Sequence, residues 1–310
     1  MSIEQTGSQL AIDNHHSVDV TTTVINRSIN RVEATLNYLL PAAEKPVTYT
    51  YTPPKGTPQN SRRNDPHTVS IRNARPFAED LSLDIQGFAL VRHRSTVANF
   101  YDPNEVREIY YPEVEALLKQ RTGAVRVVIF DHVVRNAEKA KRKEDDAREY
   151  GRIVHNDYSL KSAPRRVLDH VPDDAEELLK HRLAEINVWR AIRGPIQSTP
   201  LAVCDARSIE EHDVVACDLV YPHRVGETYA FTYNPNHRWF FFPRMLPDEA
   251  LLLKCYDSKD DGRARFTAHS AFDEPSSPPD APARESIEVR ALVFFAPEDA
   301  NNHNDSLVAG

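Results

Sequence analysis

The C-terminal third of the chain limits the fold more than any other stretch. Leu201 to Cys204, Val214 to Tyr221, Thr228 to Tyr233, Arg238 to Phe242, Ala250 to Tyr256, Ala264 to Phe272 and Ser286 to Phe295 are apolar or alternating runs that follow one another with turn residues between them. Their β-branched and aromatic side chains suit strands, and the gaps are too short for helical crossovers. Strands joined by loops pair antiparallel, so the expected architecture is a sandwich or barrel, mainly β with helices at the periphery.

Upstream the signals alternate. Residues 1–25 are polar and aperiodic and read as a flexible N-terminal arm; residues 298–310 read as a flexible tail, leaving 26–297 as a single domain without internal repeats. VTYTYT, ending at Thr52, has strand character, Pro53 to Pro66 is a surface loop, and Thr68 to Ile71 and Leu81 to His93 are short strands. Asp102-Pro103 starts a helix that continues through Tyr110, and a second helical segment from Glu113 to Gln120 closes at Gly123. Ala124 to Val134 reads as a strand buried on both faces, and Asn136 to Tyr150 as a charged, solvated connection. Pro172-Asp173-Asp174 then caps an expected helix from Ala175 to Ile192, with Leu179, Leu183, Ile186 and Trp189 or Arg190 at helical spacing.

Composition narrows the function classes. With 40% apolar and 27% charged residues the chain has the balance of a soluble globular protein, and no run approaches the roughly 20 apolar residues of a membrane helix. Met1 to Val18 lacks the apolar core of a signal peptide, so a cytoplasmic location is expected. A net charge of −8 without a basic stripe argues against nucleic acid. Cys204, Cys217 and Cys255 lie in apolar strand-like runs and read as reduced core residues rather than a disulfide frame.

The chemistry centres on GRIVHNDY, residues 151–158. On an extended segment His155 and Asp157 project to one face while Asn156 faces away and outward. An imidazole and a carboxylate, joined by a second histidine from elsewhere, make an open iron(II) site. H-x-D alone is weak, because 13 histidines produce about one such triplet by chance. His269, in ARFTAHSAF, is the candidate second histidine. The Pro- and Ser-rich segment after Phe272 reads as a hairpin loop that brings Arg284 and Ser286 beside His269; a guanidinium fork and a hydroxyl make a seat for a carboxylate.

H-x-D, a distant histidine and R-x-S resemble the iron(II)/2-oxoglutarate-dependent dioxygenases. LDIQGFALV, IYYPEVEALL, TGAVRVVIFDH, VHNDY, PLAVCDARS, RWFFFPRMLPDEALLLKCYDS and RESIEVRALVFF resemble, more narrowly, the AsaB-like hydroxylase/desaturase family, over about Val32 to Phe295. The resemblance implies a double-stranded β-helix (a cupin-like jelly roll), with His155, Asp157 and His269 as iron ligands and Arg284 and Ser286 holding the far carboxylate of 2-oxoglutarate. Arg290, on the same strand, is a rival anchor. The implied reaction couples decarboxylation of 2-oxoglutarate by molecular oxygen to hydroxylation, desaturation or oxidative cyclisation at an unactivated C–H bond of a small natural product in secondary metabolism. A homodimer, or a heterodimer with a related chain, is left open. Two alternatives stay open: a noncatalytic jelly-roll accessory subunit of a two-component oxygenase, and an iron oxidase independent of 2-oxoglutarate.

Other residues have plainer explanations. His132, Trp189 and Tyr256 read as core residues, Arg126 as part of an exposed strand face, Lys254 as sharing a face with Tyr256, and His237-Arg238-Trp239 as a turn entering a strand.

Overall fold

The computed structural model describes residues 30–297. The expected arm (1–25) and tail (298–310) lie outside the described residues. In chain order the first seven strands are β1 (Arg31–Leu39), β2 (Val47–Tyr49), β3 (Asn64–Asn73), β4 (Phe88–Arg92), β5 (Arg126–Arg135), β6 (His155–Asn156) and β7 (Leu183–Ala191). The next seven are β8 (Leu201–Cys204), β9 (Val214–Val220), β10 (Val225–Phe231), β11 (Trp239–Phe241), β12 (Glu249–Asp257), β13 (His269–Ala271) and β14 (Ser286–Phe294). All seven runs expected in the C-terminal third are therefore strands.

They form two sheets. The larger runs β1-β3-β11-β8-β13-β6-β10-β9-β2 and the smaller β4-β12-β7-β14-β5, almost entirely antiparallel, which is the jelly-roll arrangement. The larger sheet curls on itself: the Val154 amide, at the entry to β6, donates to the Asn37 carbonyl of the far strand β1 at 2.8 Å. Alternation along its strands separates two cores. Trp239 and Phe241 of β11 and Ala202 and Cys204 of β8 pack with Leu36, Tyr38 and Ile71, while Phe240 and Val203 face the smaller sheet and meet Phe88, Trp189, Leu251 and Leu253.

The outer face of the smaller sheet is covered by a helix, α1 (Tyr111–Thr122), whose Val114, Leu117 and Leu118 pack on Ile186, Val188, Leu252 and Val289. The approach to α1 is helical from Pro103, with the Asp102 side chain capping the Asn104 amide, and Gly123 ends it at φ 72°. The charged connection contains α2 (Ala137–Arg142), capped by the Asn136 side chain; α3 (Ala163–His170) follows the H-x-D segment.

Four expectations fail, each for a physical reason. The helix placed over Ala175 to Ile192 is only Ala175–Leu178; the rest is β7, a central strand of the smaller sheet buried on both faces. Its outer residues Ala184, Ile186 and Val188 meet α1, and its inner face carries Glu185 and Asn187, an alternation that is short and overlaps the helical spacing of Leu179, Leu183 and Ile186. The strand after Gly123 is an edge strand, half-buried, rather than one buried on both faces. β13 spans three residues, far shorter than Ala264 to Phe272. And β13 and β14 form no hairpin: they lie in different sheets, so residues 272–285 cross from one layer to the other instead of turning back.

Gly87 shows how tightly the layers are joined. It has φ +87°, and a Cβ there would lie 2.9 Å from Thr267 Cβ, two residues before His269. Gly123 has a similar φ, +72°, but open space around it. Gly87→Ala is expected to cost more than Gly123→Ala, because backbone strain of about 1–3 kcal/mol is common to both and only the first adds a clash. Urea midpoints of the two variants measure the difference; equal losses would mean that Thr267 gives way freely.

Candidate active site

Register brings the two histidines together. His269 of β13 lies opposite His155 of β6 on one side and Val203 of β8 on the other, so the row Val203, His269, His155 shares the face that looks at the smaller sheet. The imidazole centroids are 4.4 Å apart. Asp157, two residues beyond His155, points the same way: its Oδ1 is 3.5 Å from His155 Nε2, and ligand atoms of His155, Asp157 and His269 all lie within 4.8 Å of one another. Gly151 makes room for this, since a Cβ there would meet His155 Cε1 at 3.1 Å. The expectation for Asn156 was wrong. It is buried, and its amide donates to the carbonyl of Cys255 at 2.8 Å, tying β6 to β12.

The smaller sheet supplies the other half. Asn187 of β7 and Arg290 of β14 are directly opposite in the ladder. Both reach Asp157 Oδ2, Asn187 Nδ2 at 2.8 Å and Arg290 Nε at 2.9 Å. Arg290 also donates Nη1 to Asp131 and Nη2 to Glu288, each at 2.9 Å. All three of its nitrogens are thus engaged with protein carboxylates. Burial opposes the charge on Asp157, but Arg290 and the two histidines outweigh it and hold the carboxyl well below the usual range. Burial, reinforced by His155, pushes His269 down to about 3, so the imidazole is neutral near pH 7. His155 Nδ1 donates to the Ile153 carbonyl at 2.7 Å, which leaves Nε2 with a free lone pair.

A few residues along β14, Arg284 and Ser286 are both buried. The hairpin that was to place them does not exist; they reach the inter-sheet space because β14 pairs with β7 and β5. Arg284 donates Nη1 to the Thr199 carbonyl at 2.6 Å and stacks over Tyr150 and Trp189 at 4.3 and 5.4 Å, yet no carboxylate pairs with it among the described residues. Its Nε and the Ser286 hydroxyl are buried without a hydrogen-bond partner. Burial pulls the Arg284 guanidinium down to about 9. A buried cation beside an orphan hydroxyl is costly unless an anion completes it. Arg135 of β5, opposite Ser286, adds a second guanidinium near this seat.

Asn187, Arg135 and Glu288 escaped sequence reasoning; the alternation of Glu185 and Asn187 with apolar neighbours was the one available signal. The remaining candidates fall where their plainer explanations put them, except that Lys254 and Tyr256 do not share a face. His132 bonds Tyr111 at 2.7 Å, Arg126 pairs with Asp174 at 2.7 Å, and His237 bonds Asp213 at 3.0 Å. Lys254 bonds Asp257 at 2.9 Å and points away from Tyr256 across a bulge. Trp189 is core, though it also flanks Arg284.

Two imidazoles and one carboxylate on one side of a centre, with an unmet anion seat nearby, suit iron(II) and a chelating dicarboxylate, and the unpartnered, buried His269 Nδ1 fits such a centre. The site thus defines a non-haem iron oxygenase of the jelly-roll class, and comparison with known proteins agrees. A domain family described as "Oxidoreductase/YMDC permease-like domain" matches residues 36–294. The hydroxylase/desaturase efuI of Hormonema carpetanum is 35% identical over 86% of this chain and 96% of its own length. The hydroxylase/desaturase CTB9 of Cercospora beticola is 36% identical over 77% of this chain and 80% of its own. Among solved structures, an iron and alpha-ketoglutarate-dependent endoperoxidase, NvfI, superposes with a TM-score of 0.79 at 29% identity, covering 86% of this chain and 99% of that one. The chain belongs to the hydroxylase/desaturase family of iron(II)/2-oxoglutarate-dependent dioxygenases. It is an oxidoreductase that uses iron(II), 2-oxoglutarate and molecular oxygen. Among the described residues no helix is long and apolar enough to cross a membrane.

Arg290→Met tests the electrostatics of this centre. Removing the guanidinium strands buried carboxylates, at an expected cost of about 3–5 kcal/mol near neutral pH. The depressed Asp157 pKa contributes stability above the unfolded carboxyl value, and that contribution disappears as pH falls through the folded one. The gap between parent and variant should therefore keep its neutral-pH size down to about pH 4 and narrow only in more acid solution, below the unfolded carboxyl value, in urea unfolding. A constant gap would mean that Arg290 does not hold Asp157 charged.

Proposed function

We propose that His155, Asp157 and His269 hold the iron, that Arg284 and Ser286 hold the distal carboxylate of 2-oxoglutarate, and that the enzyme oxidises an unactivated C–H bond of a small natural product in secondary metabolism. The observation that carries the ligand assignment is the division of labour at Asp157: Oδ2 is occupied by Asn187 and Arg290, leaving Oδ1, on the His155 side, for a metal. Bound iron would let molecular oxygen act as the oxidant, with two electrons drawn from 2-oxoglutarate, which leaves as succinate and carbon dioxide, and two from the substrate.

The protein's own part is positional. The His155 tautomer is set by Ile153, Asp157 is kept ionised and fixed to one metal-facing oxygen, and Arg284 waits as a buried cation for an anion. Arg284 is preferred to Arg290 as the anchor because Arg290 is already spent on Asp157, Asp131 and Glu288. The unmet polar atoms at Arg284 and Ser286 also favour a 2-oxoglutarate enzyme over an oxidase without that cosubstrate or a noncatalytic accessory subunit. The reading takes residues 26–297 as one domain and places the enzyme in the cytoplasm, in keeping with three buried free thiols. Assembly as a homodimer, or as a heterodimer with a related chain, belongs to the same proposal.

Anaerobic titration of iron(II) into the protein with 2-oxoglutarate should raise the weak visible charge-transfer band of a chelated keto acid. His155→Ala with Asp157→Ala should abolish both the band and succinate formation while leaving the circular dichroism intact; turnover that survived both changes would refute the ligand assignment. Arg284→Gln should raise the 2-oxoglutarate concentration needed for half-maximal band intensity at least about tenfold, the scale of a lost charge-assisted hydrogen bond. An unchanged requirement would move the anchor elsewhere.

A further inference from the structure

A cavity of about 390 Å³ reaches the His155, Asp157 and His269 cluster at Asp157 alone. Asp157 and Arg290 form part of its wall, and among its mostly polar lining Phe130, Tyr158, His170 and Tyr221 contribute aromatic rings. Phe130 stacks on His170 at 4.7 Å and meets the ring of Tyr158 at 6.2 Å, so this wall is already packed into shape. The volume is that of a site for a small organic ligand.

The charges lining it do not balance. Of its carboxylates, Asp157 and Asp131 are both bonded by Arg290, and Glu227 is bonded by Lys45 and Ser159. Among its guanidiniums, Arg290 is spent in this way and Arg166 pairs with Asp169. Arg148 and Arg224 remain. Neither has an ion-pair partner among the described residues; both are exposed, and Arg224 lies over the Tyr221 ring at 3.9 Å, which holds it at the cavity wall. Two guanidiniums without counterions, next to an aromatic surface, match an acidic group carried on an apolar skeleton.

We propose that this cavity receives the substrate and that the substrate is an acid. Its ring system packs on Phe130, Tyr158 and Tyr221, its carboxylate pairs with Arg148 and Arg224, and the C–H bond to be oxidised lies at the Asp157 end. The assignment rests on the reading that Asp157 is an iron ligand.

Calorimetry on the anaerobic full chain loaded with iron(II) and 2-oxoglutarate tests it, with 2-naphthoate and biphenyl-4-carboxylate as probes, each against its neutral carboxamide. At least one acid should bind roughly tenfold more tightly than its amide, and the preference should fall to about twofold or less in Arg148→Gln/Arg224→Gln. Arg224→Gln alone, at an exposed turn, should show a partial loss and serves if the double variant does not fold. No acid preference in the parent, no acid binding at all, or a preference that survives both substitutions would overturn the proposal. The visible band of the same sample reports separately on iron and 2-oxoglutarate, so a missing band counts against the cofactor assignment and not against the acid-binding cavity.

Discussion

The two sheets meet over one carboxylate. Asp157 extends from the larger sheet, and its Oδ2 accepts hydrogen bonds from Asn187 and Arg290, a cross-strand pair of the smaller sheet. That contact ties the layers together at the point where the chemistry is to occur, and fixes one oxygen so that the other is presented toward the histidines. A freely rotating carboxylate would spend its lone pairs on either arrangement; here the protein has chosen. The cost is a chain of buried charges, Asp157, Arg290 and Glu288, tied at its outer end to the exposed Asp131, that stabilises only as a complete set.

The same interface explains why the inner faces of β7 and β14 are polar where a plain sandwich core would be apolar. Glu185 and Asn187 on β7, and Ser286, Glu288 and Arg290 on β14, all lie in the space between the sheets. Burial holds the Glu185 carboxyl well above its usual range. Away from the site the interface returns to Phe88, Trp189, Phe240 and Leu253, and stability is carried there.

Much of this was legible in the residues, and what was not has a common cause. The strands of the C-terminal third announce themselves because their alternation follows the pleat, and His155 with Asp157 shares a face for the same reason. His269 was found by its neighbourhood in a strand, but its pairing with His155 is a matter of register between segments far apart in the chain. β7 reads as a helix because Leu179, Leu183 and Ile186 match period 3.6 by coincidence, and this outweighs the short period-two alternation of Glu185 and Asn187 with their apolar neighbours. Arg284 and Ser286 were chosen through a hairpin that the fold does not contain; they face the site because the connection crosses between sheets. Local pattern identified the side chains, and only the tertiary layering decided which of them meet.

The most direct measurement is anomalous diffraction at the iron edge from crystals grown anaerobically with iron(II) and 2-oxoglutarate. A single strong peak is expected within bonding distance of both imidazoles and of Asp157 Oδ1, with Oδ2 still held by Asn187 and Arg290. A peak elsewhere, or one that draws both Asp157 oxygens away from Asn187 and Arg290, would contradict it.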